Sequence, residues 1–259
     1  MKLKIVPARV GIQWVKLGIS TFFRQPLALS GLFFMSLAVT SLAGMVPVIG
    51  LALALALVPA CTLGLMVATK EAAKGTFPMP TVFLSAFRAG RKQLRSILFL
   101  GVLYGLGLWM ITGFTALFDN GNFASRHLSG QLPTFEMAQD PATQTAVLVF
   151  MALQLPLSLM FWHAPALVYW HQVPPVKSMF FSLVACLRNF WAFTLFSLVW
   201  VSIVFVAILC VLIVASLVGN PQLLGVVLLP ILMLVAAMFF TSTYFTFRDC
   251  FENDPGEAA

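Results

Sequence analysis

The chain has 259 residues, of which 61% are hydrophobic and 9% are charged. Ordinary soluble domains have roughly 45–50% apolar and about 25% charged residues. A soluble globule of this length could not cover its surface with so few charges, and the same composition excludes disordered, collagen-like and disulfide-scaffold classes. The composition therefore predicts a membrane protein with several spanning segments.

Six apolar runs are long enough to cross a bilayer, because a spanning helix needs about 20 predominantly apolar residues. These runs cover residues 26–45, 48–69, 96–118, 145–170, 192–216 and 223–247. The first and fifth breaks between them are short and carry Gly and Pro, which favours antiparallel hairpins. The predicted fold class is all-α: a six-span polytopic membrane protein forming one integral membrane domain over residues 1–259, with a short tail at 249–259.

The positive charges lie almost entirely on one side of the predicted spans. Fourteen of the fifteen Lys and Arg residues fall before the first span, after the second, after the fourth or after the sixth, and only Arg126 falls on the other side. The positive-inside rule then predicts that both termini are cytoplasmic. Topology accounts for the net charge of +7, so we expect no nucleic acid partner.

Three segments beside the spans combine charged and apolar side chains at helical spacing. The first is residues 9–24, where Arg9, Gln13, Lys16, Ser20 and Arg24 form one stripe. The second is residues 83–95, where Phe83, Phe87 and Leu94 are set against Arg88, Arg91, Lys92 and Arg95. The third is residues 176–191, with polar members Lys177, Ser182, Arg188 and Asn189. The pattern predicts amphipathic helices on the cytoplasmic membrane surface.

The chain resembles itself at an offset of 97 residues. This shift aligns residues 46–105 with 143–202, and it matches Pro59 with Pro156 and Arg91 with Arg188. We interpret the pattern as an internal repeat of one surface helix and two spans. The two copies have equal orientation, unlike the inverted repeats of many transporters.

Small residues recur along two of the predicted spans. They are Ala52, Ala56, Ala60, Gly64 and Ala68 in the second span, and Gly101 and Gly105 in the third. Small side chains allow helix backbones to approach closely in a membrane. Packing within one chain is the favoured interpretation, and a seam between two copies is the alternative.

Few polar groups lie within the spans. All 23 Lys, Arg, Asp and Glu residues fall outside them, which argues against a pump or a proton-coupled carrier, because such proteins usually keep an ionisable group in the bilayer. Gln154 and His163 form the candidate intramembrane polar site, beside Pro156 and Pro165. They either line a cavity at a kinked helix or, as we favour, hydrogen-bond a neighbouring span.

No pattern of catalytic or metal-binding residues is present in the sequence. The acidic residues of the loop at 119–142 have no converging partner, so solvated loop charge is favoured over hydrolysis. The three His residues are scattered and the four Cys residues form no CxxC pair, whereas zinc needs three or four converging ligands. We expect no enzyme activity, no catalytic residues, no metal and no cofactor.

The basic segments are the best candidates for an interaction. Arg88, Arg91, Lys92, Arg95 and Arg188 are the candidate contacts for anionic phospholipids or a protein partner. Each Lys or Arg near an anionic leaflet gains about 1 kcal/mol. Simple anchoring and topology determination require the same charges, so both interpretations stay open.

The end of the sixth span carries a motif that resembles a known family. It reads Ser242-Thr243-Tyr244-Phe245-Thr246-Phe247-Arg248-Asp249-Cys250-Phe251. A family of six-span inner-membrane proteins of Gram-negative bacteria ends in Ser-x-Tyr-x-Ser-Tyr-Arg-Asp-x-Phe. The residues that match that motif are Ser242, Tyr244, Arg248, Asp249 and Phe251, while Thr246 and Phe247 depart from it. The family is also similar to the membrane domain fused to some glycerophosphodiester phosphodiesterases, so the resemblance implies this architecture, a place in the inner membrane and lipid-linked biology.

Two functional hypotheses follow. The leading one is a non-enzymatic scaffold or accessory factor for envelope components that acts through the basic cytoplasmic face. The alternative is a passive transporter or a lipid-handling and translocating protein that works beside Gln154 and His163.

Overall fold

The computed structural model describes residues 2–47, 49–88, 90–131, 134–219 and 222–252. Val48, where the second predicted span begins, and residues 253–259 of the predicted tail lie outside the described residues. The described part is almost entirely helical. Its helices are α1 (Val10–Arg24), α2 (Pro26–Gly44), α3 (Gly50–Ala73), α4 (Ser85–Arg88), α5 (Arg91–Asp119), α6 (Asn122–Leu128), α7 (Phe135–Gln139), α8 (Pro141–Trp162), α9 (Ala164–His171), α10 (Pro175–Arg188), α11 (Phe190–Val218) and α12 (Gln222–Cys250).

Six segments are long and apolar enough to cross a membrane: α2, α3, α5, α8 together with α9, α11 and α12. They confirm the prediction of an all-α protein with six spans. Most of them extend past the predicted runs. Helix α5 has 29 residues and is therefore about 43 Å long, whereas the hydrocarbon layer is about 30 Å thick.

The chain divides into two compact units, and the first comprises Met1–Leu37, Thr62–Arg88 and Val184–Ala259. In this unit α1 packs against α11 and α12. Two glycines permit the close approach, since a Cβ at Gly11 would meet the carbonyl oxygen of Ala192 and one at Gly18 would meet Ser242. Trp14 is fully buried on the same face of α1.

The ends of the chain meet in this first unit. Strand β1 (Lys2–Leu3) pairs with β2 (Phe251–Glu252) in an antiparallel ladder of two residues each. The backbone N–H of Lys4 extends this pairing by donating to the carbonyl oxygen of Cys250 at 2.9 Å. The N-terminal segment is thus held against the end of α12.

The second unit comprises Ala38–Cys61 and Ala89–Leu183. Here α5 packs along α8 and also contacts α6 and α9. Gly101 of α5 lies against the backbone of Ala56 in α3, where a Cβ would collide with the carbonyl oxygen. The rings of Tyr104 and Phe161 lie 5.1 Å apart between α5 and α8.

Helix α1 displays its predicted polar stripe, and the opposite face packs on protein at Trp14, Val15 and Phe22. Arg9, Lys16 and Arg24 are exposed, as predicted. The opposite face is covered by α11 and α12. Neighbouring helices therefore cover the buried apolar residues of this helix.

The prediction of one amphipathic helix over residues 83–95 is wrong. The chain leaves the helical conformation between α4 and α5, where Gly90 has a φ of 107°, a region that favours glycine. Arg88 therefore ends the short helix α4, while Arg91, Lys92 and Arg95 occupy the first turns of spanning helix α5.

Helix α10 is amphipathic with faces that differ from the prediction. Ser182 and, just after the helix, Asn189 were predicted as surface members but are buried, whereas Phe180 and Leu187 are exposed. In a membrane the surroundings are apolar, so polar groups find their partners inside the protein and apolar groups face outward.

Under the offset of 97 residues, Pro59 within α3 corresponds to Pro156 within α8, and the internal repeat stays a prediction.

Candidate functional site

The five candidate basic residues are all exposed, and they fall in both units. Arg88 and Arg188 end α4 and α10 in the first unit, whereas Arg91, Lys92 and Arg95 begin α5 in the second. None of them forms an ion pair with any residue that the structure describes. Three of the five are thus brought together on consecutive turns of one helix.

The charge at the start of α5 opposes the dipole of that helix. The first turn contains no acidic residue, so its cations lie where the helix carries a partial positive charge. Each such placement costs about 0.3–1 kcal/mol when the charge is exposed. An anion bound at this end would offset the cost.

Gln154 lies in α8, and its side chain is close to Tyr104 of α5. Its Nε2 donates weakly to the hydroxyl of Ser158, one turn further along α8, at 3.5 Å. The Oε1 atom is buried and has no hydrogen-bond partner among the described residues. The amide is therefore only partly satisfied by the protein.

His163 occupies the break between α8 and α9 and is fully buried. Its backbone N–H donates to the hydroxyl of Ser182 at 2.9 Å, and that hydroxyl donates to the carbonyl oxygen of Leu159 at 2.7 Å. Ser182 thus satisfies backbone groups that the helix break leaves open. Because Gln154 and His163 have different partners, the structure does not join them into one polar site.

The three motif residues of the tail lie at the end of α12. Asp249 accepts a hydrogen bond from the indole N–H of Trp14 at 2.9 Å and another from Arg248 Nε at 2.7 Å. The guanidinium of Arg248 lies 5.0 Å from the centre of the Phe245 ring. Tyr244 packs edge-on against the same ring at 5.3 Å. The motif therefore ties α12 to α1.

Asn189 is a polar centre that sequence reasoning did not single out as a site. It is 2% exposed. Its Oδ1 accepts from the backbone N–H of Val6 at 2.8 Å, and its Nδ2 donates to the carbonyl oxygens of Lys4 and Ala185 at 3.1 and 3.0 Å. The only sequence signal was its place beside Arg188 among the polar members of an amphipathic segment, and this gave no indication of the N-terminal partner.

The small residues of the two spans make contacts within the chain. In the second unit, Ala52 and Ala56 face Gly101 and Gly105 across an apolar groove of about 340 Å³ that also includes Trp109. In the first unit, Gly64 lies against the ring of Phe83, and Ala68 is fully buried. Ala60 is half-buried.

Possible metal ligands are dispersed in the described part of the chain. There, no three His, Cys, Asp or Glu side chains lie together in a group that could hold a metal ion.

The chain is 38% identical over 203 residues to a probable inner membrane protein of Burkholderia thailandensis, and the alignment covers 77% of this chain and 75% of that relative. The chain belongs to this inner-membrane protein family. No protein-family model and no solved structure matches it. Together with the six spanning helices, membership makes the chain a multi-pass protein of the inner membrane.

Proposed function

We propose that this family member is a non-enzymatic scaffold or accessory factor that assists other envelope components through exposed basic residues, with both termini in the cytoplasm. The observation that carries the proposal is the exposure of Arg88, Arg91, Lys92, Arg95 and Arg188 without an ion partner among the described residues. Cations that the protein does not neutralise itself are available to anionic headgroups or to acidic protein surfaces.

The packing of α1 supports the proposal by fixing further charges in place. Trp14 is buried against Phe193 and Phe196, with ring centres 5.2 and 6.1 Å away. The opposite stripe with Arg9 and Lys16 is exposed. A basic face carried on a firmly packed helix loses little conformational entropy when a partner binds.

Anionic phospholipids are the first expected partners, and a protein partner is the second. The resemblance of the tail motif to the family related to some glycerophosphodiester phosphodiesterase membrane domains supports a role near lipid chemistry. In the proposal the protein positions other components and catalyses no reaction itself.

The test is to purify the full chain in native nanodiscs and identify co-purifying proteins and lipids by mass spectrometry. Neutralising Arg88, Arg91, Lys92 and Arg95 to Gln is expected to remove the stoichiometric partner. Because these charges also set topology, the matched control exchanges the three Arg for Lys, which keeps charge and orientation. Retention of the partner by the Gln variant, with its orientation verified by terminal-tag accessibility, would refute the proposal.

One observation favours the alternative of passive transport or lipid translocation. The spanning segment of α8 and α9 is broken at His163, and the buried Oε1 of Gln154 lacks a partner within the described residues. Broken spanning helices often surround substrate paths in transporters. Lipid scrambling by liposomes that contain only this protein, reduced by Gln154→Leu, would favour the alternative over the scaffold.

A further inference from the structure

A polar cavity of about 230 Å³ lies in the second unit, between the first turns of α5 and the turn that joins α9 to α10. Four polar side chains line it: Lys92, Gln93 and Ser96 from α5, and Gln172 from the turn. The remaining wall is apolar. One ammonium, two amides and one hydroxyl thus share a single cavity.

These four side chains have no hydrogen-bond or ion-pair partner among the residues that the structure describes. Gln93 and Ser96 are nevertheless half-buried. A concave site with a few convergent polar groups is the usual form of a ligand-binding pocket. Their free donors outnumber their acceptors, because the ammonium supplies donors only.

The surroundings of the cavity are positively charged. Arg91 and Arg95 lie beside it on α5, and Lys177 lies in the first turn of α10, which begins at the cavity wall. Neither helix has an acidic residue in its first turn. Among the described residues of this unit, the nearest acid along α5 is Asp119 at its far end, about 40 Å away at 1.5 Å per residue. The local field therefore favours an anion.

The end of α9 places Gln172 in the cavity wall. Gln172 is the C-cap of this helix and has a φ of 53°, the left-handed conformation in which helices commonly end. Glycine adopts this conformation most readily, as Gly219 does at the end of α11. The turn that follows brings the amide of Gln172 to the cavity opposite α5.

We propose that this cavity binds the phosphate group of a ligand, with the Lys92 ammonium supplying the charge and Gln93, Ser96 and Gln172 donating hydrogen bonds. The buried apolar part of α5 begins at Ile97, so the cavity lies where the helix enters the hydrocarbon layer. Phospholipid phosphates lie at that depth, which makes a phospholipid headgroup the expected source and a soluble phosphate ester the other. The inference rests on the proposed function, since Lys92 is one of its basic residues, and it names the ligand chemistry.

The experiment measures binding of dihexanoyl phosphatidylglycerol to the full-length protein in detergent. Lys92→Gln is expected to raise the Kd about tenfold or more, as for the loss of one charge-assisted hydrogen bond. Gln172→Gly is expected to weaken binding while the Tm stays equal or rises, because glycine adopts the left-handed conformation most readily. Lys74→Gln, the same change at an exposed lysine just after α3 in the first unit, is the matched control and should leave the Kd within about twofold.

A second titration distinguishes the sources of phosphate. Displacement of the lipid by glycerol 3-phosphate or inorganic phosphate at comparable concentration identifies a soluble ester as the ligand, whereas lipid binding without displacement identifies the headgroup. Equal Kd values for the Lys92→Gln and Lys74→Gln proteins would overturn the proposal.

The two proposals can fail separately. If the four-residue Gln variant loses its partner while Lys92→Gln and Gln172→Gly retain lipid affinity, the phosphate site is wrong and the scaffold function stands. If the single variants lose the lipid while the four-residue variant keeps its protein partner, the phosphate site stands and the scaffold function is wrong.

Discussion

The hydrogen bond between Trp14 and Asp249 provides the sharpest test of how the first unit is held together. The indole N–H of a fully buried tryptophan donates to the carboxylate at 2.9 Å. Asp249→Ala leaves this donor without an acceptor in an apolar environment. Asp249→Asn keeps an acceptor and removes only the charge.

The loss of unfolding free energy expected for each Asp249 variant follows from the two groups that Asp249 binds, Trp14 and Arg248. A hydrogen bond to a charged group contributes about 1.5–3 kcal/mol. The Arg248–Asp249 ion pair adds at most about 1 kcal/mol, because the Arg248 side chain is 41% exposed to solvent. We therefore expect Asp249→Ala to cost about 2–3 kcal/mol. Asp249→Asn should cost about 1 kcal/mol, and Arg248→Gln less than about 1 kcal/mol.

The assay is a double-mutant cycle with Trp14→Phe, read from denaturant unfolding of the full-length protein in mixed micelles. Trp14→Phe also loses packing contacts. The cycle separates the free energy of that packing loss from the interaction free energy between Trp14 and Asp249. We expect a coupling energy of about 1–2 kcal/mol between the two positions. A coupling energy within about 0.3 kcal/mol of zero would show that the hydrogen bond does not stabilise the fold and would refute this reasoning.

Three further predictions concern other parts of the chain. Gly101→Ala should destabilise the second unit by about 1–3 kcal/mol, because its Cβ meets the backbone of α3; Gly113→Ala, whose Cβ meets no atom, should be neutral or stabilising in the same unfolding assay. Hydrogen bonds from the backbone and hydroxyl of Thr143 lower the pKa of Asp140, so its stabilisation of α8 is complete at neutral pH and is lost as the pH falls through that lowered pKa. Thr143→Ala should move this pKa upward in a carboxyl NMR titration, and an unchanged value would contradict the assignment. Burial raises the pKa of the Cys186 thiol, so maleimide at pH 7 should modify Cys186 in SDS but not in the folded protein, as peptide mass spectrometry can check.

The spans could be predicted because bilayer thickness sets the length of an apolar run. The ends of the spanning helices could not be predicted, because the helices continue beyond the apolar run into the membrane–water interface, where charged residues are accommodated. The third span illustrates this: the apolar run begins at Ser96, whereas the helix begins at Arg91. The predicted surface helix at 83–95 failed for a related reason, since one glycine conformation at Gly90 divides it.

The sequence could not predict which face of an amphipathic helix packs on the rest of the protein. A periodic pattern separates polar from apolar faces but does not say which one meets protein when the surroundings are lipid. Ser182 of α10 and Asn189, which directly follows that helix, are therefore buried, although the pattern placed them on the surface. The candidate basic residues could be named from charge alone, while Gln172 could not, because its place in the cavity depends on a left-handed backbone conformation.

The packing of α1 has a consequence for synthesis of the protein. Trp14 and its partner Asp249 are separated by 235 residues, and translation at about 5–20 residues per second needs roughly 10–50 seconds to cover that distance. For most of this interval, α11 and α12, which cover the apolar face of α1, have not yet been synthesised. The nascent chain must therefore shelter Trp14 in the membrane interface or against an insertion factor, and the first unit is completed only when the last helix is released.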